Sequence, residues 1–137
     1  PEVFLHTFRT ELYHLLPYDS ANLMFIDDKE DIIFNHSWSI AYSGQTPLIK
    51  SHPPSVRNIR QIPIFGELYG LRKPLVIPDT RKEDTLWVDT YPAVPIHSHI
   101  GTPLTTNQQV TGFLNLNHMN PNAFNTNHLS TLQLFSH

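Results

Sequence analysis

The sequence contains no cysteine. That absence excludes disulfides, thiolate nucleophiles, redox-active cysteine pairs and zinc sites built on cysteine. Long apolar runs are also missing, since none approaches the ~20 residues that span a bilayer, and the N-terminus lacks the basic, apolar and small-residue segments of a signal peptide. We therefore expect a cytoplasmic protein whose own residues make no membrane contact.

Positive charge is scarce as well. The 137 residues include 9 Lys and Arg against 12 Asp and Glu, which gives a formal net charge of -3, and no basic run is longer than two residues. A nucleic-acid-binding protein usually carries a basic patch or stripe, so no nucleic-acid partner is expected. The length fits one domain with its own core, which we place over residues 1–137.

Apolar periodicity predicts a helix at each end of the chain. Phe8, Leu12 and Leu15 recur at helical spacing near the N-terminus, and Pro17 ends the predicted helix. Over residues 125–137, a capping asparagine followed by apolar residues at the same spacing predicts a second helix. Neither helix has a cap at its outer end, which indicates a domain excised from a longer multidomain protein.

Between the helices, short apolar runs bounded by turn residues predict strands. The predicted strands cover residues 20–26, 32–38, 75–77, 98–106 and 110–118, and a tight turn at Asn107-Gln108 joins the last two. Pro63 predicts the start of a short helix over residues 63–71. Residues 39–62 show no clear pattern and are expected to form a loop with a short helix from Ser55. This order predicts an α/β (α+β) domain with a mainly antiparallel sheet.

Three histidines near the predicted hairpin are candidates for a metal site. His97 and His99 share one side of an extended segment, and counting back from a two-residue turn sets His97 roughly opposite His118. Three imidazoles could then meet, and a metal-dependent enzyme using them is one alternative. A one-residue change of register would turn His118 away, and no carboxylate supports the set. We therefore expect no bound metal.

Four stretches of sequence, taken in order, resemble the GAF domain, a small-molecule sensor module of many bacterial signalling proteins. They are LPYDSANLMFID at 16–27, RKPLVIPDTRKEDTLWV at 72–88, IGTPLTTNQQVTGFLNLN at 100–117 and AFNTNHLSTLQLF at 123–135. The PAS domain, a structural rival, lacks this order of stretches. The resemblance implies a GAF-like central sheet of five or six strands, with the terminal helices on one face. On the other face it implies loops and short helices over a ligand cavity.

The resemblance also limits the ligand. Covalent bilin attachment and the free methionine sulfoxide reductase activity known for this fold both require cysteine, which is absent here. GAF domains that bind cyclic nucleotides carry an Asn-Lys pair, a Phe and an Asp-Glu pair. Asn117 and Phe124 match this pattern, but histidine or leucine stands at the other positions. A histidine alone, such as His97 or His99, does not establish a haem site, so we expect no cofactor and an unidentified small molecule.

The ligand pocket is expected between the sheet and residues 63–71 and 79–99, because long loops in compact domains often bind ligands. Small-molecule sites are mostly apolar with a few polar anchors. The residues expected to line the pocket are Phe65, Leu68, Trp87 and Tyr91 as apolar groups, Asp79, His97 and His99 as polar anchors, and Thr102 and Leu116 on the adjoining strands. Trp87 fits a core role equally well. The sheet face that Thr102 and Leu116 take depends on the register of the hairpin.

These expectations describe a regulatory domain that senses a small molecule or transmits a signal within a cytoplasmic signalling protein, by family association a sensor histidine kinase. The domain is not expected to be an enzyme. Apolar stripes on the terminal helices predict a homodimer formed through those helices. An effector-binding domain of a transcription regulator is an alternative, and a kinase domain or a helix-turn-helix beyond residue 137 would distinguish the two.

Overall fold

The computed structural model describes residues 2–27, 32–58, 73–82 and 95–135. The elements are helix α1 (Glu2–Leu15), strands β1 (Ser20–Asp27), β2 (Ile32–Ser43), β3 (Thr46–Ser51), β4 (Ser55–Asn58), β5 (Leu75–Ile77), β6 (Ser98–Thr106) and β7 (Gln109–His118), a 3-10 turn (Thr126–His128) and helix α2 (Leu129–Gln133). The strands form one sheet in the order β3-β2-β1-β7-β6-β5, and β4 also pairs with β2. All of these pairings are antiparallel, which confirms the predicted fold class.

The sheet has six strand positions in its described part. Because β1 occupies one edge of β2, β3 and β4 must share the other edge in succession. The predicted loop over residues 39–62, with its short helix from Ser55, is therefore wrong where the structure describes it. Gly44, with a φ of 63°, begins the two-residue loop between β2 and β3, a position that favours glycine. Pro47 is tolerated in β3 because that strand lies at the sheet edge.

Helix α1 buries one side against the sheet. Phe8, Leu12 and Leu16 pack in the core at a spacing of four residues, and Leu12 and Leu16 are almost completely buried. Leu15, which the sequence pattern assigned to the same stripe, is 56% exposed because it follows Leu12 by three residues on the outer flank. Pro17 follows the end of the helix, as predicted.

The two faces of the sheet carry different side chains near its centre, although Met24, Phe113 and Ile77 lie on the more polar side. In an antiparallel ladder, residues directly opposite each other point to the same face. Ala21 lies opposite both Trp38 and Leu116, and Leu116 lies opposite Ile100, so this buried row packs under the two helices. We call that side the helix face. The residues of the other side, which we call the polar face, include Ser20, Asn22, Asn35, Ser37, Ser39, His99, Asn115 and Asn117.

The β6–β7 hairpin sets the register of the polar face. Asn107 and Gln108 have φ angles of 52° and 66°, which gives the predicted two-residue turn of the type that matches strand twist. A bulge then follows, because Thr105 pairs with Val110 while Leu104 pairs with Gly112, which leaves one extra residue in β7.

The C-terminal segment begins with the predicted cap, but it forms a 3-10 turn and then a helix that ends at Gln133, shorter than the predicted helix over 125–137. The side chain of Asn125 accepts a hydrogen bond from the backbone of Asn127, and a reciprocal bond from the Asn125 backbone to His128 completes the cap. Leu132 is fully buried on the inner side of α2. No helix in the described part of the chain is long and apolar enough to cross a bilayer.

Candidate functional site

A cavity of about 400 Å³ opens on the polar face of the sheet. Among the described residues, its lining consists of Ser20, Ala21, Asn22, Ser37, Trp38, Ser39, His52, Pro53, Ser55, Ile96 and Asn117. The rings and methyls of Trp38 and Ala21 belong to the core on the helix face, so these two contribute main-chain atoms. The volume falls within the usual range for small-molecule sites. The described lining offers hydroxyl, amide and imidazole groups but no carboxylate, Lys or Arg.

A buried hydrogen-bond chain lies on the polar face next to the cavity. The imidazole Nδ1 of His99 donates to Oδ1 of Asn117 at 2.8 Å, and Nδ2 of Asn117 donates to the hydroxyl of Ser20 at 3.3 Å. His99 is 2% exposed. Burial lowers the pKa of His99 to about 4 although the bond to Asn117 opposes the shift. The imidazole is therefore neutral at physiological pH and orients Asn117 toward Ser20.

Two further asparagines leave acceptors without partners. Nδ2 of Asn115 donates to Oδ1 of Asn22 at 2.9 Å, and Nδ2 of Asn35 donates to the hydroxyl of Ser55 at 3.2 Å. Asn115 and Asn35 are only 1% and 2% exposed. Their Oδ1 atoms accept no hydrogen bond from the described part of the chain. A buried acceptor without a partner costs about 1–3 kcal/mol, so these two amides carry a cost within the described part of the chain.

The rim of the cavity is held by the end of β3. His52 Nε2 lies 2.8 Å from the Ser39 hydroxyl, and the His52 backbone N–H donates to the Ser37 carbonyl at 2.9 Å. These contacts fasten the segment between β3 and β4 against β2. The described lining therefore combines polar groups with apolar surface from residues such as Pro53 and Ile96.

A second depression, of about 620 Å³, lies beside α2. Its described lining consists of Lys73, Pro74, Thr126, Asn127, Leu129, Ser130 and Gln133. It is the larger of the two, but none of its described lining residues is buried and none carries an unpartnered buried polar atom. Because binding requires a ligand to be desolvated by its surroundings, the polar-face cavity is the better candidate.

The predicted polar anchors lie in different surroundings. His99 belongs to the polar face, where it contacts Asn117. His97 holds the segment before β6 in place with its main chain, donating to the His118 carbonyl and accepting from the Thr80 backbone. Asp79 accepts three hydrogen bonds from Arg81. These bonds are the main reason that the pKa of Asp79 falls to about 2. The Asp79 carboxylate is therefore paired with its neighbour Arg81 and does not line the described cavity.

Thr102 and Leu116 do not line the cavity, contrary to the prediction. Both are buried on the helix face, where Leu116 lies opposite Ile100 and Thr102 lies opposite Leu114. The pleat explains this, because every second residue of β6 and β7 points to the same side. The other predicted lining residues, Phe65, Leu68, Trp87 and Tyr91, lie outside the described residues, as does the predicted helix over 63–71.

The three candidate histidines do not meet, so the alternative of a metal-dependent enzyme built on them is wrong. The bulge in β7 places Ser98, not His97, opposite His118. The side chain of His118 therefore points to the helix face, beside Phe124, whereas His99 points to the polar face. Within the described ranges, no group of three or more His, Cys, Asp or Glu is arranged to hold a metal ion.

Most of the cavity's polar residues were missed by sequence reasoning. A signal was present, since three strands each carry a pair of polar residues separated by one buried apolar residue. The pairs are Ser20 and Asn22 in β1, Ser37 and Ser39 in β2, and Asn115 and Asn117 in β7. Alternation with a buried apolar residue places each pair on one face.

Solved structures with this fold come from several classes of protein. One is the GAF domain of a two-component sensor histidine kinase from Bacillus halodurans, with a TM-score of 0.67 and 12% identity over 98% of this chain and 87% of that chain. Another is a type II free methionine-R-sulfoxide reductase from Thermoplasma acidophilum, with a TM-score of 0.71 and 10% identity over 98% and 86%. A third is the GAF domain of an Acinetobacter phosphoenolpyruvate-protein phosphotransferase, with a TM-score of 0.62 and 13% identity over 93% and 71%.

These identities establish a shared fold and nothing finer. A comparison with curated proteins found no match. The model of the GAF domain family, however, matches residues 4–137, which is nearly the whole sequence. The chain therefore belongs to the GAF domain family, whose members are signalling and sensory modules.

Proposed function

We propose that this GAF domain binds a small molecule in the polar-face cavity and transmits its presence to other parts of a longer signalling protein, without catalysing a reaction itself. The observation that carries the proposal is the buried polar face beside the cavity. Asn35, His99, Asn115 and Asn117 are each at most 6% exposed. Burying such groups costs free energy unless each finds a partner, and two amide oxygens in the described part have none. A packing surface alone would favour apolar side chains here.

The groups around the cavity suit binding better than catalysis. Ser39 and His52 form the one nucleophile-and-base pair on the described lining. A catalytic pair of this kind needs a third group that orients the imidazole. Among the described ion pairs, the histidine that contacts a carboxylate is His118 on the other face, not His52.

Strand β2 offers a path from the cavity to helix α1. The main chain of Trp38 lines the cavity, while its indole N–H donates to the hydroxyl of Tyr18 at 2.8 Å on the helix face. The Tyr18 hydroxyl donates in turn to the backbone carbonyl of Arg9 in α1 at 2.9 Å. A ligand that shifts β2 therefore acts on the terminal helix through two short hydrogen bonds.

The assembly that receives the signal is also a proposal. Leu15 and Leu134, near the ends of α1 and α2, are 56% and 76% exposed. Apolar helix surface of this kind favours a homodimer through the terminal helices. The fold shared with a sensor histidine kinase supports that class of cytoplasmic signalling protein as the host.

Native mass spectrometry of the purified protein tests the binding proposal. We expect an additional bound mass in the unaltered protein and in Asn120→Ala, whose exposed side chain lies outside the cavity. Asn117→Ala, which removes a lining amide, should lose that mass. Retention of the bound mass by Asn117→Ala, or absence of any bound mass from protein incubated with a cell extract, would contradict the proposal.

A further inference from the structure

We infer that the cavity selects its ligand by an oxygen acceptor, a carbonyl or carboxylate group, which binds to hydrogen-bond donors on Ser20, Asn22 and Ser55. This inference rests on the proposed function, because it assigns a ligand class to the same cavity. All three residues line the cavity and are partly exposed, so a ligand can contact them. The buried residues behind them determine which groups they present.

Each of these three side chains accepts a hydrogen bond from a buried asparagine amide. The pairs, with the donor first, are Asn35 with Ser55 at 3.2 Å, Asn115 with Asn22 at 2.9 Å, and Asn117 with Ser20 at 3.3 Å. The three donors are at most 6% exposed, so they act through the lining residues that they orient. Each buried amide occupies an acceptor position on its partner and leaves the partner's own protons for the cavity.

The direction of the bond to Asn22 is fixed by a third group. Nδ2 of Asn115 also lies 3.9 Å from the sulfur of Met24, and a thioether only accepts hydrogen bonds. The Asn115 amide therefore turns its N–H groups toward both neighbours, and Asn22 meets it with the oxygen Oδ1. Nδ2 of Asn22 then has no partner in the described part of the chain, and it stands on the cavity lining as a donor.

The two serines present donors for a similar reason. A hydroxyl group carries a single proton, and the lone pairs of its oxygen are acceptors. Because Asn117 and Asn35 donate to the oxygens of Ser20 and Ser55, each serine keeps its own proton for another acceptor. A carbonyl or carboxylate oxygen in the cavity meets these protons, whereas a ligand N–H group meets oxygens that already accept from a buried amide.

The rest of the described lining fits an apolar body on the ligand. Pro53 and Ile96 border the cavity with hydrocarbon side chains, which form no hydrogen bonds. Small-molecule sites commonly combine such apolar surface with a few polar groups that fix the orientation of the ligand. The lining therefore fits amphipathic molecules with an acceptor end, such as aliphatic or aromatic carboxylic acids, ketones and amides that lack an N–H group.

Two matched sets of probes test the inference by NMR titration. One set is built on a phenethyl group and the other on an n-pentyl group, and each group carries in turn a carboxylate, a dimethylamide or an ammonium. The first two ends only accept hydrogen bonds, and the third only donates them. We expect an acceptor probe of at least one set to bind about tenfold more tightly than its ammonium relative, which corresponds to about 1.4 kcal/mol, and to shift the Nδ2 resonance of Asn22. Binding of the dimethylamide shows that a neutral carbonyl suffices, and binding of the carboxylate alone shows that the acceptor must be charged.

A variant of Asn22 then assigns the selectivity to its donor. Asn22→Asp keeps an oxygen that accepts from Asn115 but removes the N–H groups, so it should weaken binding of the dimethylamide by about tenfold. Asn120→Asp, the same change at an exposed position outside the cavity, should leave binding unaltered. Where only carboxylates bind, Asn22→Ala and Asn120→Ala replace this pair, because they add no charge that repels the probe. Thermal unfolding of each variant separates loss of binding from loss of folding.

The outcomes separate this inference from the proposed function. Equal or tighter binding of the ammonium probes, or binding of an acceptor probe that the folded Asn22 variant leaves unchanged, would overturn the inference and leave a small-molecule sensor in place. Binding of none of the probes would also overturn it. If, in addition, native mass spectrometry finds no bound mass after incubation with a cell extract, the proposed function fails as well.

Discussion

The guanidinium of Arg9 lies 4.5 Å from the ring centroid of Trp38, on the far side of the strand that lines the cavity. Arg9 also donates to the Ser51 hydroxyl at 2.9 Å. Ser51 directly precedes His52, which contacts the cavity rim. One side chain of α1 therefore contacts β2, which lines the cavity, and the last residue of β3.

Replacing Arg9 should weaken the docking of α1 on the sheet. Arg9→Met keeps much of the aliphatic stem but removes the cation–π contact and the bond to Ser51. We expect a loss of about 1–2 kcal/mol in the free energy of unfolding, measured by urea denaturation. Glu11→Gln, at an exposed position of the same helix, is the control and should change it by less than about 0.5 kcal/mol. Equal stability of the two variants would show that the Arg9 contacts do not hold the helix.

Gly112 is required by a close approach of two strands. A Cβ added there would overlap the backbone carbonyl of Met24 in β1, a clash that no rotamer relieves. We expect Gly112→Ala to cost about 3 kcal/mol or more. Gly44→Ala should cost only about 1 kcal/mol, because an added Cβ at Gly44 meets no atom within 4 Å and only the positive φ opposes it. Thermal unfolding of both variants measures which one loses more stability. A loss for Gly112→Ala no larger than that for Gly44→Ala would contradict the predicted clash at Gly112.

The β6–β7 turn offers a stabilising change. Gln108 has a φ of 66°, a conformation that L side chains rarely adopt, and the preferred sequence for this turn type is Asn-Gly. We expect Gln108→Gly to raise the free energy of unfolding by about 0.5–1 kcal/mol. Gln109→Gly, one residue later in the exposed start of β7, should lower it by a similar amount because glycine weakens strands. If urea denaturation showed that both variants change the free energy of unfolding in the same direction, the backbone conformation of Gln108 would not explain the effect.

Stability should fall in mild acid because of His99. The folded protein holds the pKa of this imidazole at about 4, mainly through burial, whereas the unfolded chain has the ordinary value of 6.5. As pH falls below 6.5, the unfolded state takes up a proton that the folded state does not, so the free energy of unfolding decreases down to about pH 4. The separation of the two pKa values corresponds to a loss of about 3 kcal/mol in the free energy of unfolding between pH 6.5 and about pH 4. Above pH 7 the imidazole is neutral in both states and does not make stability depend on pH.

Urea denaturation at pH values from 7 to 4.5 measures this loss. His99→Gln should flatten the dependence on pH, since its amide can still donate to Asn117 but does not titrate. His6→Gln, at an exposed position of α1, should retain the slope of the unaltered protein. A slope that survives His99→Gln would assign the acid sensitivity to another group.

Local pattern and turn chemistry predicted the parts of the fold that follow them. The strand Leu75–Ile77 was predicted to the residue, and the β6–β7 hairpin was predicted within one residue of its bounds. β3 and β4 were missed because they are short edge strands, one containing Pro47 and the other preceded by Pro53 and Pro54, and their structure depends on pairing with β2 rather than on their own alternation.

The site was harder to predict because it depends on register. The extra residue of the bulge, Thr111, has no distinctive sequence signal, yet it sets which residue of β6 lies opposite His118. Counting back without the bulge misaligned the three histidines. The polar pairs on three strands were visible in the sequence, but only the ladder shows that Asn22 and Asn115 lie side by side.

The most direct test of the account observes the side-chain amides of the cavity by NMR. The ¹⁵N-labelled protein is titrated with a small-molecule extract of the cells that produce it, and the Nδ2 resonances of asparagine are followed. We predict that Asn22 and Asn117, which line the cavity, shift while the exposed Asn120 and Asn127 do not. Shifts confined to Asn127, beside the depression along α2, or no shift of Asn22 and Asn117 on binding, would contradict a ligand site on the polar face.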